Sequence, residues 1–306
     1  MAFKGWILLF IFGILDSGVA FILNMCILVS GAKIMRTGQK LNPPDLIQLV
    51  IGVVNIALQC LLVYQGIISI FFISLMFVRE FYVPSIVSTL TLMYFTYWLT
   101  AWLCIYYCVT ITNFNHPVFV WSKRNISVYL PHLLLVSAVG CFFITLPTIW
   151  TTSVTIILQS PVNSTRDPIV ISGTFNFQPF HLQTASFMGS CLPFLLILVS
   201  IILTVSSLLR HVRKMRQKDS GLSQAKDQAH IKAVRTMFRF LTISIIFYIN
   251  EILFFSMSPN PEDPRTAVCW MIFMSFPAAE SLIIVFANPK LRETFVVKFL
   301  RFDRKS

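Results

Sequence analysis

Three acidic residues, Asp16, Glu251 and Glu280, lie inside long apolar stretches of the sequence. A carboxyl group in such a stretch is costly to bury unless it faces other protein groups or water. Each of these residues is therefore a candidate functional residue, and Glu251 is the one that could accept a cationic or hydrogen-bonding ligand. The alternative for each is a protonated or hydrogen-bonded carboxyl group between helices that binds nothing.

The acids lie in three of seven apolar runs in the sequence. Each run is long enough to cross a bilayer, which takes about 20 residues. Hydrophobic residues make up 56% of the 306, charged residues only 12%, and the mean hydropathy is +0.77. A soluble domain has roughly a quarter of its residues charged. The sequence therefore predicts an all-α membrane protein, a single domain of seven transmembrane helices. The spans are expected over 6–30, 46–75, 84–111, 127–150, 182–209, 236–257 and 266–287, with a short amphipathic cytoplasmic tail over 288–306.

The positions of the acids within their runs separate their expected roles. Glu251 lies about eight residues from the outer end of the sixth run, roughly 12 Å deep, where an outward-open cavity would reach it. Glu280 lies about 14 residues from the outer end of the seventh run, roughly 21 Å deep, and is expected in an inner polar network. Trp98 and Trp102 share one face of the third run at the depth of Glu251. They would line such a cavity or simply pack between helices.

Several classes of protein and site are not favoured by the sequence. The net charge of +12 does not indicate nucleic-acid binding, because the basic residues lie between apolar runs. The seven cysteines fall mostly inside the runs, where a cysteine behaves as a small hydrophobe, and no cysteine–histidine cluster predicts a metal site. Signatures of P-loop, HExxH and GxSxG enzymes are absent. We expect no enzymatic activity, no cofactor and no metal.

The distribution of basic residues predicts the orientation in the membrane. Of the 24 lysines and arginines, 20 lie in one set of connecting segments and four in the opposite set. Cytoplasmic loops carry the excess of positive charge, so the N-terminus is expected outside and the C-terminus inside. The sequon at Asn163 then lies in the longest outer loop, whereas the sequon at Asn125 lies inside.

Motifs in the third, fifth and seventh runs occur in a recognisable order. They are Trp98-Leu99 with Leu103, Tyr107, Asn113-Phe114 and Pro117; Ser207-Leu208 with His211 and Met215; Ala229-His230 with Lys232-Ala233; and Ser281-Leu282-Ile283-Ile284 with Asn288 and Lys290-Leu291-Arg292. Together they resemble the type 2 taste receptors, the G-protein-coupled receptors of bitter taste. The chain is similar to a divergent member: Asn55, Thr110 and Glu280 stand where the family usually has arginine, lysine and histidine, positions that shape the inner polar network.

This resemblance implies a plasma-membrane receptor for small organic molecules that activates a heterotrimeric, gustducin-like G protein and calcium signalling. The ligand-binding candidates, taken by resemblance or by depth in the outer half, are Trp98, Trp102, Phe187, Phe247, Asn250, Glu251 and Trp270. The candidates for the G-protein face are Arg210, His211, Met215, His230, Lys232 and Lys290. The alternatives are a pheromone-type chemosensory receptor and a small-molecule transporter, although the sequence lacks the duplicated halves that many transporters have.

The orientation predicts which sequon is glycosylated. Asn163→Gln should abolish the mobility shift that glycosidase treatment causes on a gel, because only an outer loop meets the modifying enzymes. Asn125→Gln is the matched control and should leave the shift intact. A shift that survives Asn163→Gln would contradict the assignment of the outer loop.

Overall fold

Seven long helices form the protein, and a computed structural model describes them over residues 2–112, 117–159, 170–216, 224–256 and 264–295. All seven are long and apolar enough to cross a membrane, which confirms the predicted fold class. A short helix follows the seventh. The helices are α1 (Ala2–Arg36), α2 (Pro43–Phe71), α3 (Arg79–Ile111), α4 (Pro117–Thr145), α5 (179–216), α6 (Gln224–Ser256), α7 (Pro264–Ala287) and α8 (Pro289–Phe295). Helix α5 has three consecutive parts: Pro179–Ser186, a π-helical turn Phe187–Cys191, and Leu192–Arg216.

The first two helices end and begin at residues suited to those positions. Gly38 follows α1 with a φ of 70°, a left-handed conformation that glycine adopts without steric cost. Pro43 is the first residue of α2, where its missing N–H would have had no helical partner in any case.

The break between α2 and α3 lies just before the charged pair Arg79 and Glu80. The chain turns through Phe72, a one-turn helix Ile73–Met76 and Val78, and Arg79 is the first residue of α3. The Arg79 guanidinium donates a hydrogen bond to the Ile149 carbonyl at 2.8 Å, near the outer end of α4. A charged residue is therefore accommodated in the first turn of the helix because a carbonyl partner is within reach.

A β-hairpin lies in the segment that the sequence marks only as an outer loop. Strands Thr152–Gln159 and Val170–Phe177 pair antiparallel, with Thr152 opposite Phe177. The Phe177 ring meets the Phe255 ring of α6 edge-on at 5.5 Å. Phe177 also packs on the small cluster of Ile68, Phe77 and Tyr82. The hairpin is thereby attached to the outer ends of α2, α3 and α6.

Helix α3 runs through the middle of the bundle and packs against α2, α4, α5 and α6, whereas α1 packs against α2 and α7. The interior holds two large apolar clusters, both of which include residues of α3. One contains Leu99, Leu103 and Phe240, and the other contains Tyr94 and Phe276. The apolar interior is therefore built around α3.

The outside of the bundle is apolar. Leu135, Val136 and Phe143 of α4 are each more than 60% exposed. Side chains of this kind require a hydrocarbon solvent around the helices, as for any membrane-spanning segment. The chain is a multi-pass membrane protein.

Candidate functional site

Glu251 of α6 lies in the half of the bundle that carries the β-hairpin. The described part of α6 ends at Ser256, five residues later, so Glu251 is about 7.5 Å from the last described residue of that helix. Its side chain is fully buried. The carboxyl group is therefore not exposed at the surface in this conformation.

The partner of Glu251 is a tyrosine of α3. The Tyr94 hydroxyl donates a hydrogen bond to Glu251 Oε1 at 2.9 Å, and Tyr94 is also fully buried. The hydroxyls of Ser186 and Ser190 lie beside the same carboxyl group. Ser190 donates its hydrogen to the Ser186 carbonyl at 2.7 Å, so that hydrogen is not available to the acid. Within the described ranges, Glu251 Oε2 accepts no hydrogen bond.

Three more buried polar atoms, one each on α3, α6 and α7, also lack a partner in the part of the chain that the structure describes. They are the Tyr97 hydroxyl, Asn250 Oδ1 and Trp270 Nε1. Buried polar atoms in native proteins are almost always hydrogen-bonded, so such a group calls for water or a ligand. Trp270 Nε1 is a donor, and the Tyr97 hydroxyl can donate or accept. Asn250 Oδ1 and Glu251 Oε2 are acceptors. The outer half of the bundle can therefore hold a molecule that both donates and accepts hydrogen bonds.

Aromatic rings surround these polar atoms. Phe247, buried one helical turn below Glu251, meets Phe276 of α7 edge-on at 4.6 Å. Phe276 also meets Tyr97 at 5.1 Å. Phe254 and Trp270 lie 6.3 Å apart between α6 and α7. An aromatic environment with few polar groups is typical of a small-molecule site.

The two tryptophans of α3 have partners on other helices. Trp98 is half-buried and its Nε1 donates to the Met188 carbonyl of α5 at 3.3 Å. Trp102 Nε1 donates to the Ser137 hydroxyl of α4 at 2.9 Å. Their rings are 6.2 Å apart, as their shared face predicts. Neither indole contacts Glu251 through its N–H, although Trp98 packs against the same apolar cluster as Phe247.

The remaining ligand candidates divide between the interior and the surface. Asn250 is buried and its Nδ2 donates to the Cys269 carbonyl of α7 at 3.1 Å. Trp270 is half-buried with its Nε1 inside. Phe187 is 52% exposed at the start of the π-helical turn, so its ring points away from the buried site.

Glu280 lies in the inner polar network expected from its depth. Asn55 Nδ2 donates to Glu280 Oε2 at 2.9 Å, and the Thr100 hydroxyl donates to Oε1. The adjacent Ser281 hydroxyl lies 2.7 Å from Asn24 Oδ1. This network joins α1, α2, α3 and α7. Thr110 takes no part in it, because its hydroxyl bonds only to carbonyls of its own helix, those of Tyr106 and Tyr107.

Asp16 is the least enclosed of the three acids. Its side chain is half-buried on α1, and within the described ranges Oδ2 has no hydrogen-bond partner. The neighbouring Ser17 hydroxyl accepts a hydrogen bond from Gln59 Nε2 of α2 at 2.6 Å.

The candidates for the G-protein face are described only in part. Arg210 and Lys232 are exposed on α5 and α6. The side chains of His211, Met215, His230 and Lys290, and the whole of Asn163, lie outside the described residues. Among the residues that the structure does describe, no group of three His, Cys, Asp or Glu side chains could hold a metal ion.

Tyr94, Tyr97 and Ser190 are the site residues that sequence reasoning missed. One signal for them was available, because a tyrosine inside an apolar helix needs a hydrogen-bond partner for its hydroxyl. Tyr94 lies one turn before Trp98 on the same face of α3, at a depth where Glu251 is the acid within reach.

Comparison with known proteins assigns a family to this geometry. Residues 1–303 match the family described as Taste receptor protein (TAS2R). The chain is 33% identical to taste receptor type 2 member 143 of Rattus norvegicus over 66% of its own length and 69% of that protein. It is 29% identical to member 40 of Gallus gallus over 65% of its length and 64% of that protein. For member 1 of Chlorocebus aethiops the identity is 27% over 90% of both chains. These matches favour neither a pheromone-type receptor nor a transporter.

The inner network makes a prediction about stability. Asn55→Ala removes a donor from the fully buried Glu280 carboxyl group and should destabilise the fold by about 1–3 kcal/mol, the usual cost of leaving such a group unpaired. The measurement is the thermal melting of the purified receptor in detergent. Thr110→Val is the control, since that hydroxyl bonds only within its own helix, and it should melt near the wild type. Equal losses for the two variants would contradict the network.

Proposed function

Because this chain belongs to the taste receptor type 2 family, the G-protein-coupled receptors of bitter taste, we propose that it binds small organic agonists around Glu251. The agonist contacts come from α3, α5, α6 and α7 in the outer half of the bundle. The observation that carries this proposal is the group of buried polar atoms without partners, set among aromatic rings. The centre of the proposed site consists of Glu251, Asn250, Trp270 and Phe247, and Trp98 borders it. In this proposal Trp102 and Phe187 lie farther from that centre.

The chemistry of the agonist follows from these groups. Phe247, Phe254 and Trp270 offer rings that hold a flat apolar body, and an aromatic pair adds about 0.5–1.5 kcal/mol beyond the burial of area. Glu251 offers a carboxyl group that has no basic partner among the described residues. A protonated amine supplies a positive charge next to the buried Glu251 carboxylate, and this pairing favours the ionised form of Glu251.

Burial of Glu251 relates agonist binding to a conformational change. A ligand shifts an equilibrium only if it binds one arrangement of the helices better than the other. Since Glu251 is fully buried here, an agonist that pairs with Oε2 selects an arrangement in which the outer end of α6 shifts to admit it while Tyr94 still donates to Oε1. Helix α6 is continuous from Gln224 to Ser256, so a shift at its outer end moves its inner end as well.

The inner ends of α5 and α6 form the G-protein face in this proposal. The exposed Arg210 and Lys232 lie there, in the segments that carry most of the basic charge. The partner is a heterotrimeric G protein of the taste type, gustducin-like, and the response is release of calcium. His211, Met215, His230 and Lys290 belong to the same face by their positions in the sequence.

The proposed receptor sits in the plasma membrane with its N-terminus outside. An epitope tag at the N-terminus should be stained on intact cells, and a tag at the C-terminus only after permeabilisation, because basic loops remain in the cytoplasm. Each tag serves as the control for the other. The reverse pattern would contradict the orientation and, with it, the receptor mechanism.

Exchange of the buried acid tests the ligand site. Glu251→Gln keeps the size of the side chain and one oxygen that can accept the Tyr94 hydrogen bond, but it replaces the other oxygen by an amide donor and removes the charge. The potency of cationic agonists should fall by about tenfold or more, equivalent to about 1.4 kcal/mol, whereas neutral agonists of similar size keep theirs. The measurement is agonist-induced calcium release in cells that co-express a taste-type G protein.

Two controls make this result interpretable. Surface labelling must show that Glu251→Gln reaches the plasma membrane in wild-type amounts. Cells without the added G protein should give no calcium signal, which separates a receptor from a transporter. An equal loss for cationic and neutral agonists would assign Glu251 a purely structural role.

A further inference from the structure

Gly189, in the π-helical turn of α5, is the position where α5 comes closest to the ring of Tyr94. A Cβ atom at residue 189 would lie 2.4 Å from two atoms of that ring and 2.7 Å from a third. Contacts of Cβ atoms below 3.0 Å are essentially never observed. The ring fits against α5 only because residue 189 has no side chain.

The fitted ring controls the direction of its hydroxyl. Tyr94 is fully buried, with α5 against its face and Glu251 of α6 at its tip. A displacement of the ring away from α5 moves the hydroxyl that donates to Glu251 Oε1. π-Helical turns inside α-helices occur frequently at functional sites, and here the turn Phe187–Cys191 carries the glycine.

This arrangement leaves the two oxygens of Glu251 unequal. Oε1 accepts the Tyr94 hydrogen bond, and Oε2 is buried and accepts none within the described ranges. The Ser190 hydroxyl next to the acid donates to the Ser186 carbonyl, and the Ser186 hydroxyl lies 3.4 Å from the Ser190 oxygen, which can accept its hydrogen. One acceptor of known orientation is therefore available to a ligand.

We propose that Gly189 and Tyr94 are positioning residues that orient the Glu251 carboxyl group so that Oε2 receives an N–H donor of the agonist. The preferred agonist class is then an amine or another cationic nitrogen compound with an aromatic body. This inference rests on the proposed function, since it assigns a ligand class to the same site.

A thermal-melting cycle on the purified full-length receptor tests the geometry without any agonist. Gly189→Ala should lower the melting temperature, because the new methyl group meets the Tyr94 ring. In a Tyr94→Ala background the same substitution should have little effect, because the ring is gone. Gly140→Ala is the matched control: nothing lies within 4 Å of its added methyl group, so melting should be unchanged or raised. A loss from Gly189→Ala that persists in full without the Tyr94 ring would overturn the proposal.

The ligand class is tested by the ratio of potencies for amine agonists and for uncharged agonists of similar size. Tyr94→Phe keeps the ring and removes the hydroxyl, and Gly189→Ala displaces both. Each should weaken amine agonists about tenfold relative to the uncharged ones in the calcium assay, whereas Gly140→Ala keeps the wild-type ratio. A merely structural role would lower both classes together, so an unchanged ratio in both variants would overturn the proposal.

Different outcomes would contradict the proposed function and the positioning role of Gly189 and Tyr94. A wild-type receptor at the cell surface that answers no compound of either class would overturn the proposed function and the ligand class together. A wild-type receptor that answers agonists, but whose ratio is unaffected by Tyr94→Phe and Gly189→Ala, would overturn only the positioning role.

Discussion

Two hydroxyl groups of α3 partner the two fully buried acids, and the polar interior of the bundle depends on this helix. Tyr94 donates to Glu251 and, two turns farther in, Thr100 donates to Glu280. The buried residues within the described ranges include no lysine, arginine or histidine. A carboxyl group without such hydrogen bonds is costly at bilayer depth, so α3 must stay where both hydroxyls reach.

Tyr97 connects the outer and inner polar groups. Its hydroxyl is buried without a partner in the described structure, and it lies within electrostatic range of both Glu251 and Glu280. Any shift of α3 at the outer acid therefore also changes the surroundings of the inner one. The packed rings of Tyr97 and Phe276 make the contact between α3 and α7 resistant to gradual deformation. A receptor that moves between two arrangements can use such a contact.

The departures from the family pattern at Asn55 and Glu280 belong together. The two side chains are hydrogen-bonded to each other across α2 and α7 at 2.9 Å. Where the resemblance predicts an arginine and a histidine, this chain has an amide and an acid, which pair without a buried positive charge. Thr110, the third departure, is outside the network because its hydroxyl bonds within its own helix. A substitution pattern alone could not separate the paired positions from the unpaired one.

The amino-acid sequence by itself determined the seven-helix fold class and the family, because apolar length and local motifs follow directly from residue order. The ends of the helices were harder to predict from the sequence. Helix α3 begins at Arg79, whose guanidinium donates to the Ile149 carbonyl, and the hairpin after α4 was not expected. Only the tertiary structure decided that Glu251 pairs with Tyr94, that Trp98 and Trp102 bond to α5 and α4, and that Gly189 admits the tyrosine ring. Tyr94 and Glu251 are 157 residues apart in the chain. Such contacts depend on how each helix is rotated about its axis, and that rotation is set by the packing of all its neighbours.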